Sequence, residues 1–339
     1  MMDGFEKETN QTTHIEDNDD SNDESLSYNN QENHPVTSQG TKNISDVMLH
    51  SVLEKKTDRH LEKLAPLPST INEMRNFMDP NVIDRIERYK PVFSYDDADA
   101  GGVTCFPAAA VSDGGKANSG INSPCFGTTL ECVRRDFLQH SNTYHRWGRF
   151  KWGGDGLIYE AHMFSLYFEV DFAPVCMGHR HDLENVLVIF RNGSPYKVAV
   201  SAHGNYIVKN WRDVPTHVGF NPKVVYHREA GGFSTNGFRF AKKSTEDCSH
   251  ILRENGQCWN TPPIVSWEYM KGYGGITNTW LQNFFNTYDF GRATAPFKNS
   301  EFKMEVTKVI NTSVSLFSMQ ACFQTFFLLQ KTQVLPLSS

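Results

Sequence analysis

The chain has 339 residues and a net charge of −6, enough to bury a sizeable core in one large domain or two ordinary ones. Residues 1–46 hold 11 acidic and 2 basic groups, so the remainder carries about +3 and lacks the clustered basic face that nucleic-acid binding needs. No run of about 20 apolar residues is present, which argues against a membrane-spanning helix.

In chain order, residues 1–46 are rich in Asn, Asp, Glu, Gln, Ser and Thr and nearly free of large apolar groups. Such a segment cannot offset its ordering entropy and reads as a disordered acidic tail. It lacks the basic start and apolar centre of a secretory signal peptide. Residues 47–81 read as a helical linker: Leu49, Val52, Leu53, Leu61 and Leu64 recur at helical spacing before "APLPS" stops them. A second helix is expected over Val82–Tyr89, after "MDP".

From Lys90 the texture changes. Short runs rich in Val, Tyr, Phe and Thr alternate between Gly, Asn, Asp and Pro turns: "PVFSY", "VTCFPAAAV", "IYEAHMFSLYFEVDF", "ENVLVIF", "YKVAVSAH", "NYIVKNW", "KVVYH" and "GFRFAK". Period-two alternation with this punctuation predicts a mainly β domain over 82–307, a β-sandwich or barrel. "PIVSWEYM" and "NTWLQNFFNTY" read as helical or mixed insertions. Residues 308–339 form a C-terminal extension in which Leu316–Leu329, broken by Ser318, Gln320, Gln324 and Thr325, is too short to span a membrane.

The densest chemistry lies in "GHRHDLENVLVIF", Gly178–Phe190. Alternation puts Asp182, Glu184, Val186, Val188 and Phe190 on one strand face, and Leu183, Asn185, Leu187 and Ile189 on the other. Two carboxylates side by side at a strand mouth repel unless a cation separates them. Oxygen donors favour Mg²⁺, Ca²⁺ or Mn²⁺. Asp171 ends the preceding apolar run, and "FAPVCMG" with Pro174 and Gly178 would fold back and bring it beside Asp182. On chemistry alone the cluster reads as a divalent-cation site, an acid–base pair or a solvated charged turn. HExxH and GxSxG are absent, and Glu184 follows His179 one residue too soon for a cupin-type oxygenase.

Seven cysteines, without a CxxC pair, make a zinc ribbon or thioredoxin-like site a weak reading. In an oxidising compartment Cys105 would pair with Cys125 or Cys132, and Cys248 with Cys258; in a reducing one they stay thiols.

"LIYEAHMFSLYFEVDFAPVCMGHRHDLE" resembles the signature of the necrosis- and ethylene-inducing peptide-like cytolysins, whose core reads GHRHDWE. "YKPVFSY…GGVTCFPAAAVSDGG", "SNTYHRWG", "VSAHGNY", "PKVVYHREAGGFSTNGFRFA" and "DFGRATAPFKNSEF" resemble further blocks of that family in the same order, from about Ile83 to Phe302. The resemblance implies a β-sandwich with flanking helices, similar to actinoporins. It also implies a secreted monomer that docks on a plant plasma-membrane sphingolipid, a glycosyl inositol phosphoryl ceramide, through a divalent cation (Mg²⁺ or Ca²⁺) at the sugar head. The family's essential polar residues map onto Asp171, His179, Asp182 and Glu184. His181 is expected behind them or as a strand-end hydrogen-bond donor. His203 of "SAHG" is either part of the site or a turn residue. Two letters depart from the pattern: Leu183 replaces Trp, and Asn236 stands where His is usual. The expected activity is membrane damage without enzyme chemistry, or surface and immune interaction by a non-toxic relative. The alternative is a metal-dependent lyase or hydrolase acting on a sugar, with Asp182 or Glu184 as base.

Overall fold

The computed structural model describes residues 64–313 apart from 96–103, 126–130, 135, 153–155, 174–175, 229–234 and 243–258. The acidic tail, the helix expected from Val47 (Leu64 aside), Cys248, Cys258, Cys322 and Leu316–Leu329 lie outside the described residues.

Two helices precede the sheet, α1 (Ile71–Met74) and α2 (Pro80–Tyr89). Helix α2 starts two residues earlier than periodicity alone predicts. Asp79 accepts the Asn81 amide as N-cap, and Pro80 occupies the first turn, where its missing N–H costs nothing. Val82, Ile83, Ile86 and Tyr89 then form its buried stripe.

Nine strands follow: β1 Val92–Tyr95, β2 Thr143–Lys151, β3 Ile158–Asp171, β4 His179–Arg191, β5 Ser194–Ala202, β6 Asn205–Asn210, β7 Lys223–Arg228, β8 Asn236–Phe240 and β9 Ile264–Ser266. They make one sheet in the order β1-β7-β8-β5-β4-β3-β2-β9, with β6 also paired to β5. The sheet curls on itself. Tyr226 of β7 stacks on Phe168 of β3, ring centroids 3.7 Å apart, although three strands separate them in the sheet. The fold is therefore mainly β and sandwich-like, its two layers being halves of one curled sheet.

The alternation read from β4 holds. Val186, Val188 and Phe190 join Phe164, Leu166 and Phe168 in the enclosed core, which α1 and α2 help close. Leu183, Leu187 and Ile189 face the opposite core, covered by α3 (Asn278–Thr287) and α4 (Phe302–Asn311). Thr277 caps α3 by accepting the Trp280 amide. Lys197 of β5 is buried and donates from Nζ to the carbonyls of Ile310 (3.1 Å) and Thr312 (2.7 Å), closing the C-terminal end of α4.

Several expectations need correction. The described residues of "VTCFPAAAV", 104–111, form no strand: Pro107 has no N–H to give, and the run makes isolated bridges alone, Ala108 to Tyr167 and Val111 to Ala117. Of the two readings for "PIVSWEYM", helical or mixed, the mixed one holds: the edge strand β9 runs into a turn. Strand β2, passed over in the sequence, pairs with β3 through eight residues. Residues 64–81 are not a free linker, because Leu67 is buried and exchanges hydrogen bonds with the Asn142 side chain. The boundary at 307 cuts α4, whose Val309 and Ile310 are buried. Disulfides join Cys105 to Cys132 and Cys125 to Cys176. Of the alternatives for Cys105 the Cys132 pairing is the one formed, and Cys125 takes a partner the sequence reading did not offer.

Candidate functional site

The fold-back after Asp171 is the step that builds the site. Antiparallel pairing aligns Asp171 with His179, Phe168 with Asp182 and Leu166 with Glu184. Gly178 makes the return possible: a Cβ there would press on Ser123 Oγ and stand 2.5 Å from the Asp171 carbonyl oxygen and 2.7 Å from the Ala173 nitrogen. The Cys125–Cys176 disulfide ties the same connection to the loop beneath it.

Asp171, Asp182 and Glu184 are all buried. His179 Nε2 stands 3.3 Å from Asp171 Oδ2, while its Nδ1 donates to the His181 carbonyl, 2.9 Å away. Asp171 Oδ1 accepts the Asn236 backbone amide at 2.7 Å. The Tyr226 hydroxyl donates to Asp182 Oδ2 at 2.9 Å, and the Ser201 hydroxyl donates to Glu184 Oε2. Burial raises the pKa of Asp182 to about 6, against the Tyr226 hydrogen bond and the His179 charge. Burial, and then the Asp182 charge, hold Asp171 and Glu184 well above the usual carboxylate range. Asp182 therefore ionises first and opposes ionisation of the other two.

The other expected residues divide. His181 does not face the carboxylates. Its backbone lies in the left-handed region (φ 64°) inside β4, a position that is costly for a residue with a Cβ. Its ring turns to the opposite core, where the Tyr167 hydroxyl lies 2.7 Å from Nδ1 and Phe290 and Tyr288 meet it edge-on. Burial lowers its pKa to about 4, so the ring is neutral at ordinary pH. His203 and Gly204 both take positive φ in the β5–β6 turn. His203 Nδ1 lies 3.0 Å from Thr235 Oγ1, and Thr235 in turn bonds Asp171, so this histidine reaches the site through an intermediary. Asn236 contributes its backbone amide, while its own side-chain oxygen and nitrogen are buried without partners. Leu183 packs opposite Tyr167 in the helix-covered core, as alternation predicts.

Sequence reasoning missed Tyr226, Ser201 and Thr235. All three fall in quoted family blocks, but nothing local marks them as carboxylate donors. Beside His179 opens a cleft of about 510 Å³ whose lining includes Arg180, Tyr288, Asp289 and Arg292. The "DFGRATAPF" block thus meets the "GHRHD" block, with Arg292 donating to the Met177 carbonyl at 3.0 Å.

The donor chemistry fits a hard divalent cation: three buried carboxylates that oppose one another's ionisation, beside an orphaned buried amide on Asn236. Their present orientation does not form a ready ligand set. Among the described residues, no three His, Cys, Asp or Glu side chains converge closely enough to hold a metal ion.

Comparison with known proteins gives the family. The chain is 27% identical over 207 residues to NLP effector protein 10 of Phytophthora capsici, covering 60% of this chain and 75% of that one. The fold matches the crystal structure of the non-toxic HaNLP3 protein with a TM-score of 0.52 at 20% identity, covering 76% of this chain and all of that one. It matches NLPPya in complex with mannosamine with a TM-score of 0.51 at 22% identity, covering 73% and 94%. The family model for necrosis inducing protein (NPP1) matches residues 84–309, and with two thirds of its length inside that match the chain belongs to the NPP1 necrosis-inducing protein family.

Proposed function

We propose that this protein is an extracellular effector that binds the carbohydrate head of a plant plasma-membrane sphingolipid, a glycosyl inositol phosphoryl ceramide, through a divalent cation, and disturbs that membrane. The observation that carries this reading is the buried trio Asp171, Asp182 and Glu184, with the partly buried His179 ring against Asp171. Asp171 and Asp182 would supply direct oxygen ligands; His179 and Glu184 would hold cation-bound water or sugar hydroxyls. The ion, when bound, neutralises the carboxylates and offers open positions to hydroxyl oxygens. The adjoining cleft, with Arg180, Asp289 and Arg292 at its walls, suits a hydroxyl-rich ligand. The mannosamine complex of NLPPya supports a sugar as the ligand class. Relatives named as effectors, and two disulfides that persist in an oxidising compartment, support secretion. In this reading the protein is a binder rather than an enzyme, with the Tyr226 and Ser201 hydroxyls holding Asp182 and Glu184 in place as acceptors.

Calorimetric titration with Mg²⁺ and Ca²⁺ tests the site, and leakage of vesicles containing the plant sphingolipid tests the activity. Asp182→Ala is expected to abolish both while the far-UV spectrum stays native. Unchanged ion affinity in that variant would refute the site. Cleaved lipid recovered by mass spectrometry would replace the binding reading with the hydrolytic one.

A further inference from the structure

A second polar chain is buried far along the same sheet and takes no part in the site above. Ser266 Oγ lies 2.6 Å from Glu268 Oε2 and 3.0 Å from His145 Nδ1. His145 Nε2 lies 3.1 Å from His162 Nδ1, and His162 Nε2 lies 3.0 Å from Glu160 Oε1. Four successive contacts thus link Glu268, Ser266, His145, His162 and Glu160. Every member except Glu268 is buried; Glu268 is partly exposed.

Hydrogen counting leaves this chain one proton short. Each contact needs one hydrogen. With both glutamates ionised and both imidazoles neutral, the hydroxyl and the two rings supply one each, three for four contacts. One contact would then hold lone pair against lone pair, in an interior where an unmade hydrogen bond is costly. A fourth proton repairs the chain, either on Glu268 or as an imidazolium.

We propose that this chain is a proton-binding latch: the folded protein takes up one proton as a neutral Glu268 carboxyl, which orients every hydrogen bond inward to Glu160 and fastens the edge strand β9 to β2 and β3. The carboxyl then donates to Ser266, Ser266 to His145 Nδ1, His145 Nε2–H to His162, and His162 Nε2–H to Glu160.

The surroundings favour that placement. Burial raises the Glu160 carboxyl, but hydrogen bonds from His162, Arg85 and Arg149 outweigh it and hold its pKa at about 2, so that end stays ionised. Burial lowers both histidines; the His162 ring adds to this at His145, while at His162 the Glu160 hydrogen bond and charge oppose it and Arg85 of α2 and Arg149 of β2 reinforce it, leaving the pKa lowered. Burial raises Glu268 against Ser266 and nearby Arg146. The remaining neighbours are rings, Phe164 on His145 and Phe190 and Trp147 on His162. Strand β9 pairs with β2 through only three residues, and the chain adds a side-chain tie between them. Glu268 is the end from which the proton exchanges with solvent.

The sign follows from the shifts. Glu268, raised in the fold, contributes stability that is present below its unfolded pKa and lost as pH rises through its folded pKa. The histidines, lowered in the fold, contribute stability that is present above about 6.5 and lost as pH falls through their folded values. The latch is firmest in the mildly acidic interval between them.

Glu268→Gln carries a permanent N–H at the Ser266 end and tests the latch. In urea unfolding, the ratio of unfolding constants, wild type over variant, is expected to climb by up to about tenfold per pH unit between the free glutamate range and the raised Glu268 pKa, and to level off above it. The Asp182 cluster titrates alike in both proteins and cancels in this ratio. A ratio independent of pH would overturn the proposal. If the variant fails to fold, NMR of the wild type decides. A Glu268 carboxyl titrating above the free glutamate range, with His145 and His162 both neutral and protonated on Nε2, is the expected result. An ionised Glu268 beside a charged imidazole in mild acid would overturn the placement.

Discussion

Asp182→Asn at the strand mouth separates a charge effect from a packing effect. Asparagine keeps the shape and can still accept from Tyr226, but carries no charge. The Asp182 pKa stands at about 6 against 3.8 for a free aspartate, a shift worth about 3 kcal/mol at about 1.4 kcal/mol per unit. A pKa raised in the fold means stability present below about 3.8 and lost as pH rises through about 6. Without divalent ions, the variant should therefore match the wild type near pH 4 and exceed it by about 3 kcal/mol near pH 8, or about 6–12 °C in Tm for a domain of this size. Removing the charge also lets Asp171 and Glu184 ionise more readily, which adds to the gain. Millimolar Mg²⁺ or Ca²⁺ should raise the wild-type Tm increasingly from pH 5 to pH 8 and leave the variant's unmoved. Thermal scans across that range, with and without chelator, make the test. A variant equally destabilised at every pH, or a wild type indifferent to both ions, would refute the account of three mutually opposing carboxylates awaiting a cation.

Two further outcomes are expected. Gly178→Ala sets a methyl group against two backbone atoms of the return loop, which should cost about 1–3 kcal/mol and weaken ion binding by displacing His179 from Asp171; an unaltered Tm with unaltered calorimetry would contradict this. Lys197→Met leaves the carbonyls of Ile310 and Thr312 without their buried donor, so urea unfolding should show a loss of about 1–3 kcal/mol per orphaned group, with faster amide exchange in the last turn of α4; unchanged exchange there would show that the helix end is held by other contacts.

Much of the site was legible before the fold was known, because its information is local. Period-two alternation placed Asp182 and Glu184 on the face of Val186 and Val188, and the glycine before His179 marked a tight return. The ordered blocks from Ile83 to Phe302 pointed to the family that the NPP1 match establishes. What stayed hidden depends on contacts between distant segments. Cys125 has no local feature that selects Cys176, 51 residues away. Tyr226 and Ser201 look like ordinary strand residues until the sheet curls and sets them over Asp182 and Glu184. His181 sits in the richest motif of the chain, yet it falls on the Leu183 face of the strand and its ring lies against Tyr167 in the other core.

The sequence alone determined the strand-rich class, the two faces of β4 and the carboxylate cluster at its mouth, since each follows from side-chain chemistry at fixed spacing along one segment. Tertiary structure decided the disulfide pairing, the hydroxyl donors to the carboxylates, the true limits of the packed body and the chain from Glu268 to Glu160. Those depend on which strands the curled sheet lays side by side, and loop closure over tens of residues leaves no local trace of that choice.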